Sequence, residues 1–204
     1  MQVEPVVQRG EAGAAGPLDA LRKVEGLVGN DDVFLGLAKD PRLLGPVTEL
    51  LGPDIKLFRD ALMMKPARHG SAKPYHQDSA YWQVDPPDLC SAWIALDDAT
   101  LKNGCMRVLP GSHRWGVIEH KHLADYQVEE ERLDLSGEVS APLEAGGVLL
   151  FHSLLLHATS PNASDSPRRA MICSYMSARS RHTGDPARKP DYLLLQGRDH
   201  PGAV

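Results

Sequence analysis

His76 and Asp78 lie two apart in Pro74-Tyr75-His76-Gln77-Asp78, so on an extended segment both side chains project from one face. An imidazole beside a carboxylate is two thirds of a 2-His-1-carboxylate metal site, the ligand set that leaves open coordination positions in non-haem Fe(II) oxygenases. Taken alone, His-x-Asp also suits an ordinary surface pair. Candidates for the third ligand stand downstream, where Gly146-Gly147-Val148-Leu149-Leu150-Phe151-His152 runs on through Ser153-Leu154-Leu155-Leu156 to His157. His152 and His157 are five apart and would face opposite ways on one continuous strand, so only one of them can reach the metal.

A polar connection, Ser160–Pro167, follows, and Arg168-Arg169-Ala170-Met171-Ile172 reads as a returning strand. A hairpin centred near Asn162–Ala163 sets His157 opposite a residue between Arg168 and Ala170. On that register Arg168 shares the face of His157, roughly 7 Å away, and Arg169 points the other way. A guanidinium so placed suits a ligand that chelates metal at one end and offers a carboxylate at the other, held by two parallel hydrogen bonds. Without the histidines, the same two arginines read as an exposed pair.

The elements that must carry these residues follow from the pattern along the chain. Its 204 residues are enough for one domain with a sizeable core. A hydrophobic content of 42% and a charged content of 24% are ordinary for a soluble globular protein. The net charge of -5, with no dense Lys/Arg run, argues against nucleic acid or an anionic membrane as partner. No apolar run is long enough for a transmembrane helix, and the first residues lack the basic-then-apolar order of a signal peptide. Cys90, Cys105 and Cys173 are odd in number and sit among apolar neighbours, which fits reduced, buried thiols of a cytoplasmic protein.

After a loose stretch through Gly16, Leu18, Leu21, Val24 and Leu27 predict a helix from Pro17 to about Gly29. Further helices are expected over Asp31–Ala38 and Pro41–Leu51, with Leu43, Leu44, Val47 and Leu51 on one face. Beyond Pro53 the texture changes to short extended runs: Ile55–Met64, Leu89–Leu96, Cys105–Leu109, Val148–Phe151, Leu156–Thr159 and Ala170–Ser177. Gly, Pro and Asn punctuate them, the mark of an all-β sandwich or barrel. The expected fold is mainly β with flanking helices, a double-stranded β-helix of the cupin-like jelly-roll kind, as one domain. A helical lead-in (1–53), a jelly-roll core (54–180) and a tail (181–204) divide it, with Tyr192–Leu195 docking as a last element. Glu119–Glu138 is polar and reads as a long loop or short helix over the site.

Several motifs stand in a fixed order: His76-Gln77-Asp78, Ala92-Trp93-Ile94-Ala95-Leu96, and Asn103-Gly104-Cys105-Met106. Leu109-Pro110-Gly111-Ser112-His113, then Gly147 to His157, then Arg168-Arg169-Ala170 complete the set. In this order the chain resembles the phytanoyl-CoA dioxygenase family from about Leu21 to Ser177. The resemblance implies an Fe(II)- and 2-oxoglutarate-dependent dioxygenase that uses O₂ to hydroxylate a small molecule, with succinate and CO₂ as coproducts. It makes His76, Asp78 and His157 the iron ligands, leaves His152 unligated, and gives the distal carboxylate of 2-oxoglutarate to Arg168. It also implies that Trp93, Gln77 and Thr159 line the cosubstrate pocket, and that Lys23 reaches it from a helical region. An aspartate at position 78 argues for hydroxylation, because related halogenases carry a small residue there. Two departures stand out: family members usually begin with an extra strand and helix, and a pocket methionine of the family falls on Ala61. Two other readings stay open: an inactive, truncated family member, and a cupin-like metal-binding protein. The sequence specifies neither the substrate nor the oligomeric state, and no long cationic groove for a CoA moiety is evident.

Overall fold

The computed structural model describes residues 1–11, 13, 16–123 and 125–204, with the side chains of Pro17 and Leu18 left aside. The expected helical stripe through Leu18, and the loose stretch at 12, 14 and 15, therefore lie partly outside the described residues. Two short strands come from the N-terminal region, β1 (Gln2–Val3) and β2 (Leu21–Glu25). Helices α1 (Asp32–Ala38) and α2 (Pro41–Leu51) follow, then β3 (Ile55–Lys65) and β4 (Lys73–His76). Next come β5 (Cys90–Ala95), β6 (Met106–Val108), β7 (Val139–Ala141) and β8 (Val148–His152). The last strands are β9 (His157–Thr159), β10 (Arg168–Ser177) and β11 (Leu194–Gln196).

Seven of these strands form the main sheet in the order β1-β2-β3-β10-β5-β8, with β11 also paired to β3. The opposing sheet has four strands in the order β7-β6-β9-β4. All pairings are antiparallel, and the two sheets make the double-stranded β-helix. Alternation along β10 assigns its faces: Met171, Cys173 and Tyr175 join the apolar cluster beneath the helices, whereas Ala170 and Ile172 pack into the sandwich. Leu43, Leu44 and Val47 of α2 cover the outer face, as their helical spacing requires. Both α1 and α2 are capped by an aspartate: Asp31 accepts from the Val33 amide and Asp40 from the Arg42 amide, both at 2.8 Å.

Three expectations fail here. The segment from Pro17 forms a single 3-10 turn, Pro17–Ala20, and then strand β2. Its apolar spacing fits a helix, but pairing with the edge of β3 at Met63, Leu62 and Ala61 wins. The lead-in of this single domain is also not only helical, since it supplies β1 and β2 to the main sheet, which β11 of the tail joins as well. Finally, β9 and β10 form no hairpin. β9 pairs with β4 and β6, and β10 pairs with β3 and β5, so the chain crosses from one sheet to the other between them.

The crossing is held by Asn162, which is fully buried. Its amide nitrogen donates to the carbonyls of Lys65 (3.0 Å) and Ser166 (2.8 Å), and its oxygen accepts from the Ser164 amide and hydroxyl. Glu119–Glu138 holds a two-residue ladder, Lys121–His122 with Tyr126–Gln127, and a 3-10 turn at Glu130–Arg132. Tyr192 is buried beside Phe58 and β11 extends β3, so the tail docks.

Candidate metal centre

His76 is the last residue of β4 and pairs directly with His157, the first residue of β9. Their ring centroids are 4.1 Å apart. Gln77 has extended backbone angles, so Asp78, at the start of the next turn, returns to the side of His76. His76 Nε2 is 3.8 Å from Asp78 Oδ1, and one donor atom from each of His76, Asp78 and His157 lies within 4.8 Å of the others. All three residues are buried.

The hydrogen bonds around these side chains orient them. His76 Nδ1 is 2.8 Å from the Pro74 carbonyl and His157 Nδ1 is 2.9 Å from the Leu155 carbonyl. A carbonyl can only accept, so each Nδ1 carries the proton and each Nε2 keeps a lone pair for the centre. Burial, reinforced by His157 and Lys73, holds the His76 imidazole well below its usual pKa and therefore neutral. Asp78 Oδ2 is buried with no hydrogen-bond partner. Two imidazoles whose Nδ1 atoms are held by backbone carbonyls, and a carboxylate with a free oxygen, fit a divalent transition metal.

The same cavity, of about 410 Å³, runs from this cluster to Arg168 and Lys65. Arg168 and Lys65 are register partners on β10 and β3, and both are buried. Arg168 Nε and Nη1 have no hydrogen-bond partner, and its guanidinium lies 5.1 Å from the Trp93 ring. Burial pushes Arg168 down to about 10. Burial, and then the nearby Arg168, push Lys65 down to about 7. Glu4, also buried, lines the same cavity and acts on both charges, but neither cation has an ion-pair partner among the described residues; such buried cations are costly, so this end of the cavity suits an anion. Gly70 is required here by space, since a Cβ on it would come within 2.7 Å of Lys65 Cβ.

The sequence-predicted residues divide. Trp93, Thr159, Arg168 and Lys23 line the cavity with the three donors. Lys23 does so from strand β2 rather than from a helix, and it is paired with Glu25 at 2.8 Å. Gln77 does not line the cavity: the parity that returns Asp78 to it turns Gln77 away. Its amide bonds the carbonyls of Gly116 and Leu154 and the Ile118 amide, tying down the chain behind the site. His152, on the other sheet from His157, sits 3.4 Å from Asp88 and beside His113. Arg169 is exposed and donates twice to the Asp97 carboxylate, at 2.9 and 2.7 Å. Ala61 is fully buried against the cavity wall, and Met63 and Met106 line the space instead. Sequence reasoning missed Lys65. A lysine ending the apolar run Ala61-Leu62-Met63-Met64 just before Pro66 was the available signal, because the inward face of a core strand rarely takes a charge.

Comparison with known proteins agrees with this geometry. The family model described as Phytanoyl-CoA dioxygenase (PhyH) matches residues 11–170. A relative from Streptomyces griseoviridis, "L-proline trans-4-hydroxylase", is 30% identical over 204 aligned residues, covering 86% of this chain and 74% of that protein. A "Probable alpha-ketoglutarate-dependent hypophosphite dioxygenase" from Stutzerimonas stutzeri is 31% identical, covering 78% of this chain and 58% of that one. Among solved structures, "non-heme monooxygenase; ThoJ apo" superposes with a TM-score of 0.78 at 27% identity, covering 98% of this chain and 74% of that chain. The chain spans about half the length of the phytanoyl-CoA dioxygenases of Caenorhabditis elegans (54%) and Homo sapiens (44%) that it matches.

Proposed function

The chain belongs to the phytanoyl-CoA dioxygenase family, and from that premise we propose that it is an Fe(II)- and 2-oxoglutarate-dependent dioxygenase hydroxylating a small metabolite. His76, Asp78 and His157 hold the iron through the two Nε2 atoms and the aspartate carboxylate. Arg168 binds the distal carboxylate of 2-oxoglutarate, and Lys65 adds a second positive charge at that end. When bound, iron, 2-oxoglutarate and O₂ supply the oxidising power for hydroxylating a C–H bond, with succinate and CO₂ as coproducts. The remaining work belongs to the chain. Trp93 and Phe151 keep the centre dry, Thr159 lines the cosubstrate side, and the backbone carbonyls of Pro74 and Leu155 hold the imidazole tautomers. The observation that carries this reading is Arg168: a buried guanidinium with no acceptor, sharing one cavity with the donor cluster. A storage or sensing jelly-roll needs no such cation.

The three buried, unpaired cysteines suit a reducing compartment, and we assign the protein to the cytoplasm. No helix is long and apolar enough to cross a membrane. The test is spectroscopic. Anaerobic protein with Fe(II) and 2-oxoglutarate should develop a visible charge-transfer band. A protein that binds Fe(II) without the band is not this kind of enzyme. Screening metabolites for stimulated succinate release then identifies the substrate.

A further inference from the structure

A second guanidinium faces the cavity away from Arg168. Arg59 stands six residues before Lys65 on β3, about 20 Å along the strand, and also lines the cavity. Its register row runs across the main sheet through Ser174 and Ser91 to Phe151, whose ring lies 4.8 Å from that of His157. Arg59 and the Lys65–Arg168 pair thus enter the same cavity from places six residues apart along β3.

The other cations on this side of the cavity have partners. Lys73 lies 2.6 Å from Asp125, Arg22 lies 3.7 Å from the same carboxylate, and Lys23 lies 2.8 Å from Glu25. Arg59 makes no ion pair and no side-chain hydrogen bond among the described residues, and its Nε is buried without a partner. Its guanidinium lies 5.7 Å from the centre of the Trp82 ring, a cation–π contact that uses none of its N–H donors in a hydrogen bond. Glu25, whose carboxylate lies within range of Arg59, is already paired with Lys23. A fixed fork of donors with no acceptor is what a planar oxyanion fills.

Resting on the assignment of the Arg168 end to 2-oxoglutarate, we propose that Arg59 binds a carboxylate of the substrate, which makes the substrate a small carboxylic acid. The carboxylate is fixed at Arg59 and the rest of the molecule reaches toward His76, Asp78 and His157. Size follows from the same space. About 410 Å³ has to hold the cosubstrate and the substrate together, at the small end of the range for ligand sites. A compact acid fits that space beside the cosubstrate.

The experiment uses protein loaded anaerobically with Fe(II) and saturating 2-oxoglutarate, so that the Arg168 end is occupied. Cyclopentanecarboxylate and acetate are titrated calorimetrically beside their neutral counterparts, cyclopentanecarboxamide and acetamide. The carboxylates should bind at least about tenfold more tightly than the amides. Arg59→Met should erase that difference, and Arg59→Lys, which keeps the charge but not the fork, should retain part of it. Equal binding of acids and amides, no binding of either acid, or a preference that survives Arg59→Met would each overturn the proposal. The charge-transfer band reports the other end of the cavity and is read on the same samples. Its absence in the unmutated protein breaks the 2-oxoglutarate reading instead, and the titration repeated without iron still decides whether Arg59 binds acids.

Discussion

The two faces of the main sheet are built from alternate residues of the same strands and end in opposite conditions. On the outer face, Met171, Cys173 and Tyr175 meet Leu43, Leu44 and Val47, and the charged Arg169 is matched by Asp97. On the inner face, Arg168 keeps two buried nitrogens without partners, Arg59 keeps one, and Asp78 projects an unmatched oxygen from the facing loop. A buried polar group left without a partner costs roughly 1–3 kcal/mol, more when it is charged. The outer face thus needs nothing further, whereas the inner face is finished only when ligands arrive. That difference separates structure from function more sharply than burial does, since Arg168 and Met171 are both buried.

The largest expected effects test whether His76, Asp78 and His157 form one unit on the inner side. His157→Ala and Asp78→Ala should each lower Fe(II) affinity by at least about a hundredfold, measured by anaerobic metal titration. His152→Ala, beside Asp88 on the same stretch of chain, should retain it. The reverse outcome would put the centre at the wrong histidine.

Next in size is the contrast between adjacent arginines. Arg168→Ala should cost about 3–5 kcal/mol of 2-oxoglutarate binding, as for one half of a buried ion pair, a loss of more than about a hundredfold. Arg169→Ala should cost less than about 1 kcal/mol, as for an exposed pair. Calorimetric titration of 2-oxoglutarate into both variants decides, and equal losses would erase the distinction between the faces.

Leu44→Ala probes the outer face from the other direction. Removing a buried leucine from the helix–sheet cluster should lower unfolding free energy by about 2–5 kcal/mol, read from denaturant midpoints. The folded fraction should still bind 2-oxoglutarate normally.

The smallest effect is a pH dependence at Lys65. Its folded pKa of about 7 lies below the ordinary 10.5, so the charge is present below pH 7 and lost as pH rises. Affinity for 2-oxoglutarate should therefore fall between pH 6.5 and 8.5, on the order of tenfold, and Lys65→Met should flatten the curve. The ligand-free fold moves the opposite way. Above pH 7 the unfolded chain binds the proton that the folded one has shed, so stability rises toward the ordinary lysine range.

What the sequence revealed, and what it hid, follows the same division. The strands after Pro53 and the helices over Asp32–Ala38 and Pro41–Leu51 were legible, because short-range periodicity reports which face is apolar. The segment Leu21–Glu25 was misread because i, i+3 spacing over so few residues fits a helix as well as an edge strand. Only the exposed edge of β3 decides between them. Arg168 was expected to face the cavity, and it does, yet the hairpin offered as the reason does not exist. Parity within a strand is local and survived, while the choice of partner strand depends on a crossing that no local pattern encodes. The family resemblance implied a pocket place for Gln77, but the parity that brings Asp78 to the cavity turns Gln77 away from it. Lys65 was hidden because a lone lysine in an apolar run reads as a strand end until Arg168 is seen opposite it.

Enzymes commonly diverge by lengthening the loops around a fixed core, and here the loops are not equally free to change. Asn162 rivets the crossing between β9 and β10 to the end of β3 through side-chain bonds to Lys65, Ser164 and Ser166. An insertion between Ser160 and Pro167 would pull that rivet and let His157 and Arg168 drift apart. Among the described residues, the segment from Glu119 to Glu138 bonds to the strand bearing His76 and to Gln77 after it, through Asp125 and His120, but not to Lys65 or Arg168, and its ladder is two residues long. New substrates can be accommodated there by trial and error, while the distance between donor cluster and anion end stays locked.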